Sequence, residues 1–249
     1  MKHLRFISNV DCGLQVREIE GEESRVVEGK PIVFGVRSVN LTPWSSTRKV
    51  YEILEPGCIS NELLQRSDVI LNINHSTKVT DVLGRCNNGN GTLELELRDM
   101  YVAAGCELPQ TNTANDTLEL IKRGDISGMS FAFEDDWEDT ENGVSLERTN
   151  EVEDGKEVWL RHVKRITGLY DVSIVTYPAY EQTSVATREQ GDSILKQIDD
   201  MEAAATKREE ERQEQEHEDL DEQSRRFREQ QILRRRSQRR RLADQFKNY

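Results

Sequence analysis

Alternating apolar and polar residues predict that most of the chain before residue 189 is built from β-strands. In segment 128–133, every second residue is bulky and apolar, and the residues between them are Gly128, Ser130 and Ala132. Side chains alternate along a strand, so one face suits a core and the other leaves open space above the Ser130 hydroxyl. This serine is therefore either an ordinary buried hydroxyl or the group beside which a substrate backbone lies.

Further strands are predicted where apolar residues alternate or cluster between turn residues. They cover residues 26–27, 32–36, 51–54, 67–75, 93–97, 158–169 and 171–177. A turn is expected at Gly29-Lys30-Pro31, and Asn88-Gly89 predicts a β-hairpin. In the segment that ends at His75, period-two spacing puts this histidine on the apolar face, just before a polar loop.

Helix signals are few, so the predicted fold is mainly β with helices, of the α+β class. Ser60 is positioned to cap a short helix that contains Leu63. Asp116 begins a second helix with capping-box spacing, and Gly124 ends it in the left-handed conformation.

The 249 residues suffice for one sizeable domain and an appendage. We predict a polar N-terminal segment over 1–25, the folded domain over 26–188 and a charged tail over 189–249. The tail has no proline, is acidic over 199–222, and carries nine arginines over 225–241. Its apolar residues are too sparse for a core, which predicts a solvated, partly helical arm.

Composition narrows the classes of partner. The net charge of −13 argues against general nucleic-acid binding. No apolar run approaches the roughly 20 residues of a membrane helix, and the first residues lack an apolar signal core. The four histidines are isolated, and the cysteines form no Cys-x-x-Cys pair, so neither a metal nor another cofactor is expected. Scattered free thiols fit a reducing cytoplasm.

Ser130 as a nucleophile requires a base and a group that orients the base. The chain order would be His75, Ser130 and then an acid, which differs from the chymotrypsin, subtilisin and α/β-hydrolase orders. Residues 128–132 nearly match the G-x-S-x-G nucleophile elbow. That elbow needs a helix after the serine, whereas a strand and an acidic run follow here, so we exclude it.

Two other nucleophiles are candidates. Ser127 lies just before the predicted strand and is the alternative serine. A cysteine hydrolase would use Cys58 or Cys106, but neither cysteine lies on a strand face of the kind that carries Ser130.

Four segments, taken together, resemble the tailed-bacteriophage prohead maturation protease family. They are Asn74-His75, Leu83-Gly84-Arg85, GDISGMSFAF at 124–133 and DVSIVTYPAY at 171–180. They occur in the family's order and at about its spacing, and the resemblance covers roughly residues 30–188. The family is similar in fold to the herpesvirus assembly proteases, which implies an antiparallel β-barrel ringed by helices.

The resemblance implies that His75 is the base and Ser130 the nucleophile. Asp171 is the expected third member, with His162 as the alternative. The chain departs from the family in two places: Ser76 follows the histidine where Asp is common, and Asp171 stands where Glu is common.

The resemblance also implies a function. We expect a serine endopeptidase that cleaves scaffold and capsid proteins inside the immature phage prohead, in the host-cell cytoplasm, and that also cleaves itself. Arg165 is a candidate oxyanion donor. The alternative is a catalytically silent scaffold or minor capsid protein.

Overall fold

The computed structural model describes residues 5–9, 12–18, 24–43, 45–176 and 191–216, and these form an α+β fold dominated by strands. The strands are β1 Arg5–Asn9, β2 Gln15–Val16, β3 Val26–Val33, β4 Arg48–Leu54, β5 Asp68–Ile73, β6 Val82–Asn87, β7 Asn90–Gly91, β8 Leu93–Leu97, β9 Tyr101–Glu107, β10 Gly128–Asp135, β11 Val144–Glu153, β12 Lys156–Val163 and β13 Ile166–Val175. The helices are α1 Asn61–Arg66, α2 Asn112–Arg123 and α3 at 191–216, with a 3₁₀ turn at Val79–Asp81.

The described strands form three sheets. The first has the order β1-β10-β13-β5-β6-β7, the second β11-β12-β4, and the third β2-β3-β9-β8. In the first sheet, the strand of Ser130 lies beside the strand of Asp171, and β5, which leads to His75, is the next strand.

The expectation of purely antiparallel pairing is wrong for two pairs of strands. β13 runs parallel to β5, and β12 runs parallel to β4. The described strands form three open sheets, with no closed ring of hydrogen bonds among them. Alternation along a strand defines which residues share a face but not the direction of the neighbouring strand. A parallel pair needs a long crossover connection, which the pattern does not reveal.

Three strand predictions also need correction. Gly29-Lys30-Pro31 is a bulge within the continuous strand β3, not a turn between two strands. A bulge tolerates the missing N–H of proline. β1 and β2 lie in the N-terminal segment, which was predicted only to be polar, and β11 was missed because only its first residue, Val144, is buried.

The turns and helix ends agree with the sequence predictions more closely than the strands do. Asn88 and Gly89 have φ angles of 50° and 75°, and they join β6 to β7 in the predicted hairpin. Ser60 accepts a hydrogen bond from the Leu63 N–H at 3.1 Å, as predicted for the cap of α1. Gly124 ends α2 with a φ of 79°.

The predicted start of α2 at Asp116 is wrong. Thr111 is the N-cap, and its hydroxyl accepts a hydrogen bond from the Ala114 N–H at 3.3 Å. Ala114 is fully buried, so this additional turn packs into the core. The helix therefore begins after Thr111, because this start buries Ala114 and a start at Asp116 would not. Asp116 lies inside the helix.

β10 is buried on both faces. Met129, Phe131 and Phe133 lie in the core as predicted, and the two phenylalanine rings stack with their centroids 5.0 Å apart. On the other face, Ala132 is fully buried and Ser130 is 1% exposed. Ser130 is therefore enclosed, and the expectation of open space above it is wrong.

A buried ion cluster connects the first and second sheets. The guanidinium of Arg161 on β12 donates to Glu52 on β4 and to Asp135 on β10, the latter at 2.7 Å. Although burial disfavours its charge, these two carboxylates raise the pKa of Arg161. Asp135 belongs to the acidic run that follows Ser130, yet it is buried, because its carboxylate neutralises a buried arginine.

The chain divides into two compact units, Met1–Leu195 and Lys196–Tyr249. The first unit contains every strand described, and α3 extends through the described part of the second. The predicted tail from 217 onward, and residues 177–190 with the end of the 171–180 motif, lie outside the described residues. None of the helices in the described ranges is both long and apolar enough to cross a membrane.

Candidate active site

Three neighbouring strands place polar side chains on one face of the first sheet. Ser130 on β10 is the register partner of Ser173 on β13, and Ser173 is the partner of Asn72 on β5. Asp171 precedes Ser173 by two residues and shares its face. The pairing of strands that are distant in sequence therefore brings these four residues together.

His75 reaches this face because the chain bends after β5. The strand ends at Ile73, and the next two residues, Asn74 and His75, have φ angles of 51° and 52°. Non-glycine residues adopt this left-handed conformation infrequently, although asparagine and histidine do so more often than most. The prediction that His75 lies on the apolar face of the strand is wrong, because period-two alternation stops at Ile73.

Hydrogen bonds to the end of β13 hold the bend in place. The Asn74 N–H donates to the Ile174 carbonyl at 3.0 Å. The Asn74 side chain accepts from the Thr176 N–H at 3.0 Å and donates to the Thr176 hydroxyl at 3.1 Å. The His75 N–H donates to the Ser173 hydroxyl at 3.0 Å. The base candidate is thus attached to the strand that carries Asp171.

The His75 ring connects Ser130 to Asp171. Its Nε2 lies 2.7 Å from Ser130 Oγ, and its Nδ1 lies 2.7 Å from Asp171 Oδ1. Both distances are hydrogen-bond lengths. A nucleophile, a base and an orienting carboxylate in a continuous hydrogen-bonded chain have the geometry that acyl transfer to a serine requires.

The three groups differ in their access to solvent. Ser130 is 1% exposed, whereas the side chains of His75 and Asp171 are 19% and 15% exposed. The site therefore borders solvent at the imidazole and the carboxylate, and a substrate would approach the enclosed serine from that side.

The family of the chain is shown by a match over most of its length. The family model described as caudovirus prohead serine protease matches residues 13–197 of this chain. This chain belongs to the caudovirus prohead serine protease family. Membership supports a role as a capsid maturation protease.

Among solved structures, this family member is similar to the bacteriophage T4 capsid assembly protease, gp21. The two share 11% sequence identity with a TM-score of 0.36, and the alignment covers 68% of this chain and 97% of that one. No match was found among curated proteins.

His162, the alternative third member, lies elsewhere in this prohead protease. It belongs to β12 in the second sheet. Its Nδ1 lies 2.7 Å from Glu55 Oε1, and its Nε2 lies 3.2 Å from Glu147 Oε2. Both of its ring nitrogens are engaged by these glutamates, whereas the Nδ1 of His75 contacts Asp171.

Arg165, the candidate oxyanion donor, lies between β12 and β13. Its guanidinium binds the carboxylates of Asp136 and Asp139, and hydrogen bonding to Asp136 raises its pKa. It precedes Asp171 by six residues on an extended segment, a distance of about 20 Å. The structure therefore does not support Arg165 as an oxyanion donor.

The alternative nucleophiles do not contact the histidine that would have to activate them. Ser127 is exposed and precedes β10, and the ring nitrogens of His75 are engaged by Ser130 and Asp171. Burial raises the pKa of Cys58 to about 12 and that of Cys106 to about 11, so both thiols stay protonated at neutral pH. Within the described residues, no group of three or more His, Cys, Asp or Glu side chains is arranged to hold a metal ion.

Sequence reasoning missed Ser173 and Asn72. Both are polar and almost fully buried, at 0% and 5% exposure. The signal for Ser173 was its place two residues after Asp171, on the same strand face. Asn72 carried a weaker signal, an amide between Leu71 and Ile73 in an apolar strand.

Proposed function

We propose that this chain is a serine endopeptidase in which Ser130 is the nucleophile, His75 the general base and Asp171 the residue that orients the base. The observation that carries this proposal is the pair of 2.7 Å contacts from the His75 ring to Ser130 and to Asp171. An extended peptide is the expected substrate, because the family consists of proteases.

The proposed reaction follows from this geometry. Ser130 Oγ attacks the peptide carbonyl while His75 Nε2 takes the hydroxyl proton, and the Asp171 carboxylate stabilises the imidazolium that forms. The imidazolium then gives its proton to the leaving amine, and an acyl-serine remains. Water, activated by the same imidazole, hydrolyses the acyl group and regenerates Ser130.

The alternative of a catalytically silent scaffold or minor capsid protein has less support. Such a protein needs neither the left-handed bend at His75 nor a continuous chain of hydrogen bonds from Ser130 to Asp171. Strained backbone of this kind persists where the surrounding structure over-determines it, and it is common at active sites. The contacts of Asn74 with β13 provide that support.

Scaffold and capsid proteins are the proposed substrates, and the proposed place of action is the inside of the immature prohead in the host-cell cytoplasm. A terminal segment of the enzyme itself is a further proposed substrate. Family membership supports the capsid and scaffold substrates and the place of action, whereas self-cleavage is suggested by the resemblance of the sequence alone. We assign the charged tail from 189 to docking on charged partners such as scaffold, because its acidic and arginine-rich segments suit ionic contacts.

A fluorophosphonate probe tests the nucleophile. The purified chain is labelled, digested and mapped by mass spectrometry, together with Ser130→Ala, His75→Ala and the matched control Ser127→Ala. We expect one adduct, on the peptide that contains Ser130, lost in the first two variants and kept in the third. An adduct on Ser127, or equal labelling of Ser130→Ala, would contradict the assignment.

A further inference from the structure

Ser173 lies at the centre of the polar cluster behind the catalytic pair. Its side chain is fully buried, and its Oγ lies 3.0 Å from the backbone N of His75 and 3.0 Å from His75 Nδ1. Its Oγ is also 3.1 Å from Asp171 Oδ1 and in close contact with Asn72 Oδ1. A hydroxyl has one proton to donate and two lone pairs to accept with, so only some of these contacts can be hydrogen bonds at one time.

Asn72 determines where the Ser173 proton points. Its Nδ2 donates to the Ser76 carbonyl at 3.2 Å, which turns Oδ1 toward Ser173. An amide oxygen can only accept, so its hydrogen bond with Ser173 uses the single proton of the hydroxyl. The Ser173 hydroxyl therefore donates to Asn72 and not to Asp171.

Both lone pairs of Ser173 then face His75. One accepts the backbone N–H of His75 and so holds the residue in its left-handed conformation. The other faces Nδ1, which must carry a proton to bind both this oxygen and the Asp171 carboxylate. With Nδ1 protonated, Nε2 keeps its lone pair and can accept the proton of Ser130, because the bond at one ring nitrogen sets the state of the other.

We propose that Ser173 is a positioning residue of the peptidase: oriented by Asn72, it shares the Nδ1 proton of His75 with Asp171 and fixes the imidazole as a base toward Ser130. The proposal rests on the proposed function, since it assigns Ser173 a role through His75. Ser173 does not contact the reacting atoms and is not a catalytic residue.

The test is the rate of Ser130 labelling by the fluorophosphonate, resolved into the maximal rate and the probe concentration for half-maximal rate. We expect Ser173→Ala to lower the maximal rate about 10- to 100-fold, the effect of one lost hydrogen bond to a charged group. The half-maximal concentration should change by less than about threefold, because Ser173 does not contact the probe. Ser173→Thr keeps the hydroxyl and should restore most of the rate.

A matched control is Ser67→Ala, which removes another buried hydroxyl that donates to the Leu63 carbonyl at 2.6 Å. It should lower the melting temperature and leave the labelling rate unchanged. An Asn72→Ala change should slow labelling in the native background but add little to Ser173→Ala, because Asn72 acts on His75 through Ser173. A rate for folded Ser173→Ala equal to that of the unmodified chain would overturn the proposal.

The unmodified chain provides a measurement that does not depend on the folding of any variant. Nitrogen-15 NMR of histidine-labelled protein at neutral pH should show a proton on Nδ1 of His75 and a bare Nε2. The opposite tautomer would contradict the proposal. Labelling of the Ser130→Ala variant separates the two hypotheses. If Ser130→Ala is still labelled, the proposed function fails. If Ser130→Ala is not labelled and Ser173→Ala is labelled at the full rate, only the role of Ser173 fails.

Discussion

Ser130 and Ser173 are directly opposed residues on the antiparallel strands β10 and β13, and the His75 ring reaches both hydroxyls. One ring nitrogen faces Ser130, the proposed nucleophile, and the other faces Ser173. The position of the base therefore depends on the register of these strands. A slip of one residue would turn every side chain of a strand to the opposite face and separate the three groups.

The Asp171 carboxylate gives the first prediction. Asp171→Asn keeps the size of the side chain but removes its negative charge. In the proposed mechanism this charge stabilises the imidazolium of His75 and favours a proton on His75 Nδ1. We expect the rate of capsid-protein cleavage to fall about 10²- to 10⁴-fold. Asp68→Asn, an exposed carboxylate on β5 that pairs with Arg85, is the matched control and should keep full activity. Equal rates for both variants would remove Asp171 from the mechanism.

The buried ion cluster gives the second prediction. Arg161→Ala leaves Glu52 and Asp135 buried without their common counter-ion, and we expect the free energy of unfolding to fall by about 3–5 kcal/mol. Arg85→Ala, which breaks the exposed pair with Asp68, should cost far less, because solvent and salt screen such a pair. Urea denaturation measures both, and similar losses would show that burial adds nothing to the cluster.

The Cys58 thiol predicts a dependence of stability on pH. Burial raises its pKa from the ordinary value of 9.0 to about 12, so above pH 9 the unfolded chain loses a proton that the folded chain keeps. Stability from this group is full below pH 9 and is lost as the pH rises toward 12, by about 1.4 kcal/mol between pH 8 and 10. The decrease in unfolding free energy over that interval should be smaller by this amount in Cys58→Ala, and an unchanged decrease would contradict the prediction.

Cys58→Ala also tests the alternative of a cysteine hydrolase. Labelling of Ser130 should survive this change, because a buried, protonated thiol is a poor nucleophile.

The tail gives the fourth prediction. A cut at Glu189 would also remove Ile194, which is fully buried in the first unit, so a chain that ends at residue 216 is the cleaner variant. It should cleave an unfolded capsid fragment in solution at the full rate, yet be missing from assembled proheads. Replacing the nine arginines of 225–241 with glutamine in the full-length chain should have the same effect. Incorporation of either variant at normal copy number would show that the tail is not the docking segment.

The sequence predicted the features that depend on a few adjacent residues and missed those that depend on the pairing of distant strands. The α1 cap at Ser60, the Asn88-Gly89 hairpin and the Gly124 helix end were correct, because each depends on a few adjacent residues. The bend that turns His75 away from the β5 face could not be predicted, because hydrogen bonds to Ser173 on β13 and to Thr176, just after that strand, hold it in place.

Part of the candidate site could be predicted from the sequence, for a different reason. Period-two alternation identified Ser130 as a hydroxyl among small residues, and the resemblance pointed to His75 and Asp171. Ser173 and Asn72 were missed because buried polar residues within strands look like ordinary core positions until the neighbouring strand is known.

The most direct test of the central claim is to co-express the chain with its own capsid protein and to measure the intact mass of the capsid protein. The native chain and Ser127→Ala should yield a shortened capsid protein, whereas Ser130→Ala and His75→Ala, folded to the same extent, should leave it at full length. Shortened capsid protein in the presence of folded Ser130→Ala would contradict the account.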